Sequence, residues 1–552
     1  MCAYPYADTY KYIIKKETIV DKSEALKKYF GHTGFREGQE PIVDSLLSGR
    51  DAVGIMPTGA GKSICYQLPA LMMEGVAIVI SPLISLMKDQ VNALNQAGIP
   101  AAYLNSSLNE RQFRLALSRA YHGTYKIIYV APERLETNGF MQLAESIKIS
   151  MLTVDEAHCI SQWGQDFRPG YLKIRDFIDK LSYRPVIGAF TATATANVRN
   201  DIIRILRLDK PTIITTGFDR KNLYFGVEHP RDKMTALARL LKKYKDRSGI
   251  VYCSTRKSVE EVCRRLRCMG YEATRYHAGL EDEEKLLNQE DFLYDRKTVM
   301  VATNAFGMGI DKSNVSFVIH YNMPKDLESY YQEAGRAGRD GEEAECILLY
   351  AKKDVNLAKW LINNGTPNEM LTEEQRENLR VRDEERLKQM TFYSTTNRCL
   401  RQFILNYFGD RRECTCGKCS SCCPERQAEP RNTKPKRSTE DIYEIHYISD
   451  EQDYGMGEWH ARQAAAKKAT PQTPFTEKDE ELFALLKQVR AQKAKVAGVP
   501  AFVVFSDATL RDMCRKKPVT KAEFMEVSGV GQTKADRYAE AFTKEIKGFL
   551  EE

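Results

Sequence analysis

Met56-Pro57-Thr58-Gly59-Ala60-Gly61-Lys62-Ser63 follows an apolar strand and precedes Tyr66, Leu68 and Ala70 on a helix. Binding a triphosphate requires backbone N–H groups curled around phosphate oxygens, a lysine on the outer phosphates and a hydroxyl on Mg2+. Gly59 and Gly61 admit the close backbone approach, while Lys62 and Ser63 supply the cation and the hydroxyl. The strict pattern has Gly where Met56 stands, so a Gly-rich turn is the competing reading of this segment alone. Val154-Asp155-Glu156-Ala157-His158 closes a second apolar strand and leaves two carboxylates at its carboxyl end, where open α/β sheets place ligands. Asp155 is expected to hold the metal, and Glu156 to orient and deprotonate the attacking water. A solvated strand end or a helix cap is the bland alternative.

Charge building on a transferred phosphoryl group also needs a cation from outside the first unit. Gln332-Glu333-Ala334-Gly335-Arg336-Ala337-Gly338-Arg339-Asp340-Gly341 offers Arg336 and Arg339 on one side of a helical turn. An arginine crossing a cleft is worth about 10³ to 10⁵ in rate in related chemistries. The alternative is a solvated basic helix end. Just after the acidic pair, Trp163 and Phe167 have few apolar neighbours in sequence and adjoin Arg168. Stacking bases on such rings is worth about 1 to 3 kcal/mol per base, and Arg168 would add a phosphate contact. A core Trp with Arg168 in a structural salt bridge is the other reading. Cys399 on an apparent helix, followed by Cys416-x2-Cys419-x2-Cys422, has the ligand set of a closed structural zinc site. Cys414 and Cys423 compete for places in that set, and an iron–sulfur cluster competes for the site.

These residues need elements to position them. The 552 residues predict three to five folding units. With 28% charged and 43% hydrophobic residues, the chain is neither disordered as a whole nor a bilayer protein. No apolar run approaches the length of a span and the N-terminal stretch lacks an apolar core, so the chain reads as cytoplasmic, with no membrane partner. A net charge of +7 favours a polyanionic partner only mildly, because any basic patch must come from distribution. Apolar strands at 52–55, 76–80, 126–130, 151–154 and 186–190 alternate with polar-faced segments, the rhythm of a parallel α/β sheet. A second set lies at 249–252, 272–276, 298–301, 315–320 and 344–349. The expected units are therefore α/β at 22–216 and 217–351, a helical segment at 352–423 ending in the Cys cluster, a linker at 424–475 and a helical bundle at 476–552.

In this order the motifs resemble the superfamily-two helicases, and specifically the RecQ family. The matching blocks include Phe35-Arg36 with Gln39, the phosphate loop, Ser81 to Gln90, Ala131 to Leu135, Asp155 to His158, Ala189 to Ala194, Tyr276 to Gly279, Ala302 to Asp311 and Gln332 to Gly341. DEAD-box RNA helicases share the outline, but Cys159 to Pro169 resembles the aromatic-rich loop of RecQ enzymes. The resemblance implies two RecA-like domains, ATP, Mg2+ and Zn2+ as cofactors, and ATP-driven 3′ to 5′ movement on DNA in repair and recombination. It also implies single-stranded or tailed DNA as partner, together with repair or single-strand-binding proteins, and a monomer.

At residue level it implies that Gln39 and Arg36 read adenine, with His32 where the family usually has Tyr. It further assigns Thr58 to the phosphate loop, Gln332 to the catalytic set, Thr191 and Thr193 to coupling, and His277, Thr303 and Asp311 to the second unit. Residues 480–550 resemble the family's HRDC domain, where Gly529-Val530-Gly531 leads into a helix carrying Lys534 and Arg537 that would meet a DNA backbone. The family commonly adds a winged helix after the zinc element. That fold needs more than about 60 residues, and the 52 residues of 424–475, with five Pro, are too few. The alternatives carried are an RNA-directed helicase and an ATP-gated clamp that binds branched nucleic acid with little unwinding.

Overall fold

The computed structural model describes residues 21–551 except 165, 246, 307–311, 365–371, 411–414 and 424–474. The winged-helix question falls on residues 424–474 and Asp311 on 307–311, both outside the described residues. The first lobe is built on β1 (Ala52–Ile55), β2 (Val76–Ile80), β3 (Ala101–Leu104), β4 (Ile127–Val130), β5 (Ile149–Val154), β6 (Val186–Thr191) and β7 (Thr212–Thr215), ordered β3-β4-β2-β5-β6-β1-β7. Every pairing is parallel. β1, β2, β4 and β5 are buried along their whole length. Continuous apolar runs are the consequence, because helices cover both faces of such a sheet.

The second lobe repeats the plan with β8 (Leu223–Glu228), β9 (Ser248–Tyr252), β10 (Ala273–Tyr276), β11 (Val299–Ala302), β12 (Val315–His320) and β13 (Ala344–Leu349). Their order is β10-β11-β9-β12-β13-β8, again all parallel. The ten strands expected from sequence are present. β3, β7 and β8 were not anticipated, and each lies at a sheet edge. β3 and β7 are only four residues long and only partly buried, too short for a pattern that marks a strand on its own.

The edge β8 is covered rather than left open. Ser420 N–H donates to Phe225 O at 2.9 Å, and Val227 N–H donates to Ser420 Oγ at 3.1 Å, so the cysteine-rich turn pairs with the strand. Helices Lys352–Asn364, Glu373–Thr395 and Leu400–Tyr407 lead into that turn. Arg401, from the last of them, donates to Asp219 Oδ1 at 2.6 Å, to Arg220 O at 2.7 Å and to Leu223 O. The cysteine element is thereby keyed to the chain between the two sheets.

Residues 475–551 form a helical bundle around Leu482, Leu486, Leu510, Phe524 and Phe542. Its glycine loop packs backbone to backbone on the first lobe: Gly529 N–H donates to Gly31 O at 2.8 Å. A Cβ on Gly31 would lie 2.4 Å from Val530 N, and one on Gly531 would lie 2.8 Å from Lys28 O. Glycine is required on both surfaces for this approach. The bundle also reaches the second lobe, through Tyr294 Oη to Gly498 O at 3.1 Å and Arg511 Nε to Glu342 Oε1 at 3.2 Å. Among the described residues no helix is long and apolar enough to cross a membrane.

Candidate nucleotide site and zinc cluster

The phosphate loop leaves β1 at Met56, whose N–H donates to Thr191 O at 2.9 Å. Its side chain is buried, with Cys65 Sγ 3.8 Å from its Sδ. Met56 therefore completes the strand, and the tight curvature begins after it, which is why the chain manages without glycine there. Gly59 and Gly61 sit at φ +84° and +83°, and a Cβ on Gly61 would meet Gln39 Nε2 at 2.5 Å. Lys62 and Ser63 open helix Lys62–Met72. Lys62 Nζ is buried and has no hydrogen-bond partner among the described residues. A buried ammonium left alone is costly. A triphosphate in the loop supplies the acceptors it lacks, so these residues fit ATP.

Asp155 and Glu156 leave β5, one strand removed from β1 across β6. Asp155 is buried, its N–H donates to Ile80 O at 2.9 Å, and its carbonyl accepts from Tyr171 Oη at 2.9 Å. Glu156 holds a left-handed backbone, φ 47° and ψ 46°, a strain that clusters at functional sites. Burial and the adjoining Glu156 carboxylate push the Asp155 carboxyl well above the usual range. Burial alone would also raise Glu156, but Lys62, His158 and Arg336 pull its carboxyl below that range. The pair thus offers one ionised carboxylate for a water and one that gains most from a divalent cation beside it, which fits Mg2+. His158 Nδ1 lies 3.3 Å from Glu156 Oε2 and 2.8 Å from Thr191 Oγ1, tying the acids to the end of β6.

The second lobe meets this site directly. Thr58 Oγ1 donates to Gly335 O at 3.0 Å. Arg336 is buried and acts electrostatically on Glu156, and a Cβ on Gly59 would lie 3.7 Å from Arg339 Cα. Arg220 joins the two surfaces: its guanidinium donates to Thr58 O at 2.6 Å, Gly335 O at 3.2 Å, Ala337 O at 3.0 Å and Gly338 O at 2.9 Å.

The four cysteines anticipated from their spacing converge. The Sγ atoms of Cys399, Cys416, Cys419 and Cys422 lie within 4.8 Å of one another. Cys423 stands outside, its Sγ 2.9 Å from Gly417 O, and Cys414 lies outside the described residues. A closed all-thiolate set of this size fits Zn2+. On the other side of the acids, Trp163 is 41% exposed, so it is not a core residue. Gly164 lets the loop press on the acidic motif, since a Cβ there would meet His158 O at 2.1 Å.

Family comparisons match the same segments. The DEAD/DEAH box helicase family covers residues 36–201, the helicase conserved C-terminal domain 232–341, the RecQ zinc-binding family 352–423 and the HRDC domain 479–546. The ATP-dependent DNA helicase RecQ of Bacillus subtilis is 39% identical, over 95% of this chain and 98% of its own length. The chain belongs to the RecQ family of ATP-dependent DNA helicases. The RecQ helicase of Pasteurella multocida is 36% identical over 96% of this chain and 94% of its own. Among solved structures, the DEAD-box helicase Mss116 bound to ssRNA and UDP-BeF aligns with a TM-score of 0.51 at 17% identity, covering 69% of this chain and 84% of that one, which is a likeness of fold. As a RecQ helicase the chain is an enzyme that uses ATP with Mg2+, carries a zinc-binding element and acts on DNA.

Within this RecQ helicase several sequence expectations are corrected by geometry. Helix Leu327–Ala334 ends before Arg336, so the two arginines lie on consecutive turns rather than on one helical face. Asn222 Nδ2 fixes those turns through Gly338 O at 2.9 Å and Glu342 O at 2.7 Å. Arg36 and Gln39 are engaged by the phosphate loop itself, Arg36 Nη1 donating to Gly59 O at 2.6 Å and Gln39 Nε2 to Gly61 O at 3.0 Å. Their side chains support the phosphate loop. Arg168 pairs with Asp166 at 2.9 Å and donates to Pro82 O at 3.2 Å, closer to the structural salt bridge than to a free phosphate contact. His277 is buried with Nε2 2.7 Å from Glu260 Oε1, an internal partner and not an exposed nucleic-acid contact. Lys534 donates to Val503 O at 2.8 Å and Val504 O at 3.0 Å, and Arg537 to Gln96 Oε1 at 2.7 Å. Lys534 is thereby engaged within the bundle, while Arg537 lies exposed at the seam between the bundle and the first lobe, beside the docked glycine loop.

Arg220 was missed. It lies in Phe218-Asp219-Arg220-Lys221-Asn222, which reads as an ordinary polar connector; the one signal was four consecutive hydrogen-bonding side chains placed between two sheets. Hydrogen bonds to a charged group are worth about 1.5 to 3 kcal/mol, so Arg220→Ala should lower ATP turnover about 10- to 150-fold with ATP binding kept. Arg220→Lys should recover little, since an ammonium lacks the planar fork. Steady-state turnover beside equilibrium ATP binding checks this, and near-normal turnover of Arg220→Ala would refute the bridging role.

Burial, with Arg36 and Lys534 nearby, pushes His32 down to about 4. The folded-state imidazole is then neutral throughout pH 5.5 to 8, and its contribution to stability is lost as pH falls from the free-histidine range towards that value. The KM for ATP of the native enzyme and of His32→Phe should run parallel across this window. Divergence near the free-imidazole value would show that the ring ionises.

Proposed function

We propose that this RecQ helicase closes two lobes on ATP, hydrolyses it at Asp155 and Glu156, and uses the reopening to advance 3′ to 5′ along one strand of DNA. The observation that carries the reading is the buried Lys62 Nζ, without a hydrogen-bond partner among the described residues, and the acidic pair on one lobe, with Arg336 acting on Glu156 and Arg339 beside Gly59 from the other. Thr58, Gly59, Gly61, Lys62 and Ser63 bind the phosphates. Asp155 and Ser63 hold Mg2+, which when bound neutralises charge on the phosphate oxygens. Glu156, ionised at neutral pH, accepts the proton of the attacking water. Gln332 orients that water from the second lobe, and Arg336 and Arg339 stabilise the charge that builds on the phosphoryl oxygens.

His32 stacks on adenine, Arg36 and Gln39 set the loop that carries the phosphates, and Asp311 acts from the second lobe. Trp163 and Phe167 stack on bases. The route from strand to water runs through Gly164, which packs on His158, and from His158 to Glu156 and Thr191. Cys399, Cys416, Cys419 and Cys422 hold zinc as a structural clip for β8 and take no part in hydrolysis. The working units are residues 22–216, 217–351, 352–423 and 476–552, joined by a linker at 424–475 too short for a winged helix. The enzyme works as a cytoplasmic monomer in repair and recombination, on single-stranded or tailed DNA, with repair or single-strand-binding proteins as partners.

The short linker favours a second reading, in which ATP turnover is intact and duplex separation is weak. Strand displacement on a 3′-tailed fork beside ATPase measurements on matched DNA and RNA strands distinguishes these. The expected result is DNA-selective ATPase stimulation, abolished in Lys62→Ala and Glu156→Gln, with measurable displacement. Unchanged turnover in either variant contradicts the site, and stronger stimulation by RNA contradicts the substrate.

A further inference from the structure

The exposed indole of Trp163 has a partner within the chain. Arg382, on helix Glu373–Thr395, places its guanidinium carbon 3.4 Å from the centre of the Trp163 ring. One turn further along the same helix, Arg386 donates from its guanidinium to the Trp163 carbonyl. Arg386 is itself fixed: Asp383 lies 3.4 Å and Glu328 3.7 Å from its nitrogens, and Tyr407 Oη donates to the same Glu328 at 2.6 Å. The base of the loop is held separately, with Trp163 N–H donating to Ser161 Oγ at 3.0 Å and Ser161 Oγ donating to Asp201 at 2.7 Å. The backbone is therefore anchored, and one aromatic face is covered by a half-exposed cation.

A guanidinium and a nucleobase make the same use of an indole: both are flat and both lie on its face. They compete for it. Glu328 stands on helix Leu327–Ala334, one turn before Gln332, so the anchor of the loop adjoins the element that leads to Arg336.

We propose that Arg382 is a positioning residue for strand engagement, holding Trp163 in the free enzyme and yielding its face to a base. The proposal rests on the reading that Trp163 stacks on bases. Arg386 keeps the loop backbone in place while the exchange occurs, so the indole turns from one flat partner to another with no rearrangement of the acidic motif. Arg382→Lys is the informative variant, because it keeps the positive charge that attracts the strand and loses the planar stack. An exposed cation–π pair of this kind corresponds to about a two- to fivefold change in an equilibrium.

The test measures binding of a fluorescent single-stranded deoxythymidine oligonucleotide by anisotropy, at fixed salt, for the full chain and for Arg382→Lys, Trp163→Ala and the double variant. Thermal midpoints establish that each variant is folded. Trp163→Ala should weaken binding, Arg382→Lys should tighten it about two- to fivefold, and Arg382→Lys should have no effect once Trp163 is gone. If Trp163→Ala weakens binding but Arg382→Lys does not tighten it, or shifts both backgrounds equally, the exchange is wrong and the stacking role stands. If Trp163→Ala leaves binding unchanged, the stacking role fails and the exchange falls with it.

Discussion

The half-buried guanidinium of Arg220 sets the geometry on which the rest of the molecule depends. It contacts a carbonyl of the phosphate loop and three carbonyls of the arginine-bearing turns at once. One side chain thereby fixes the distance between the group that binds phosphate and the groups that stabilise its transfer. Arg401 holds the Arg220 carbonyl from behind, and Cys399 of the metal cluster immediately precedes the helix carrying Arg401. The zinc element, far from the chemistry in sequence, is in this way part of the support for the cleft. Removing a partner from such a buried network leaves carbonyls without donors in a low-dielectric setting, the situation in which a single hydrogen bond matters most.

The acidic motif is the other fixed point, and it faces two ways. Through Lys62 and Arg336 it belongs to the nucleotide; through Gly164 packed on His158 it belongs to the aromatic loop. The left-handed backbone at Glu156 is the point where these two demands meet. The helical bundle at the C-terminal end adds a third contact to both lobes. Its Lys534, pushed down to about 8 by burial and by Arg537, lies near enough to lower the affinity of His32 for a proton.

Central features were legible in the sequence because their chemistry is local. Gly59, Gly61, Lys62, Asp155 and the Cys399–Cys422 set are defined by spacing along a strand end or a knuckle, and central strands such as 76–80 declare themselves by unbroken burial. Edge strands β3 and β7 escaped because each is only four residues long and partly buried, so neither presents a run long enough to declare itself. Arg220, Arg382 and Arg386 escaped for a different reason: a guanidinium gives no local sign of the carbonyl or ring it will reach in another domain. Lys534 and Arg537 acquired partners that sequence did not foretell. A basic helix start after a glycine loop looked like a phosphate site, and the same glycines allowed docking against Gly31 instead.

The central claim is that Arg336 and Arg339 act on the transition state across the cleft and do not serve to hold ATP. Single-turnover hydrolysis at saturating ATP and DNA, measured with equilibrium ATP binding for Arg336→Ala and Arg339→Ala, tests it most directly. The account predicts a fall in the hydrolysis rate of about 10³-fold or more for at least one variant, with ATP affinity kept within about tenfold. Hydrolysis near the native rate in both variants would contradict it.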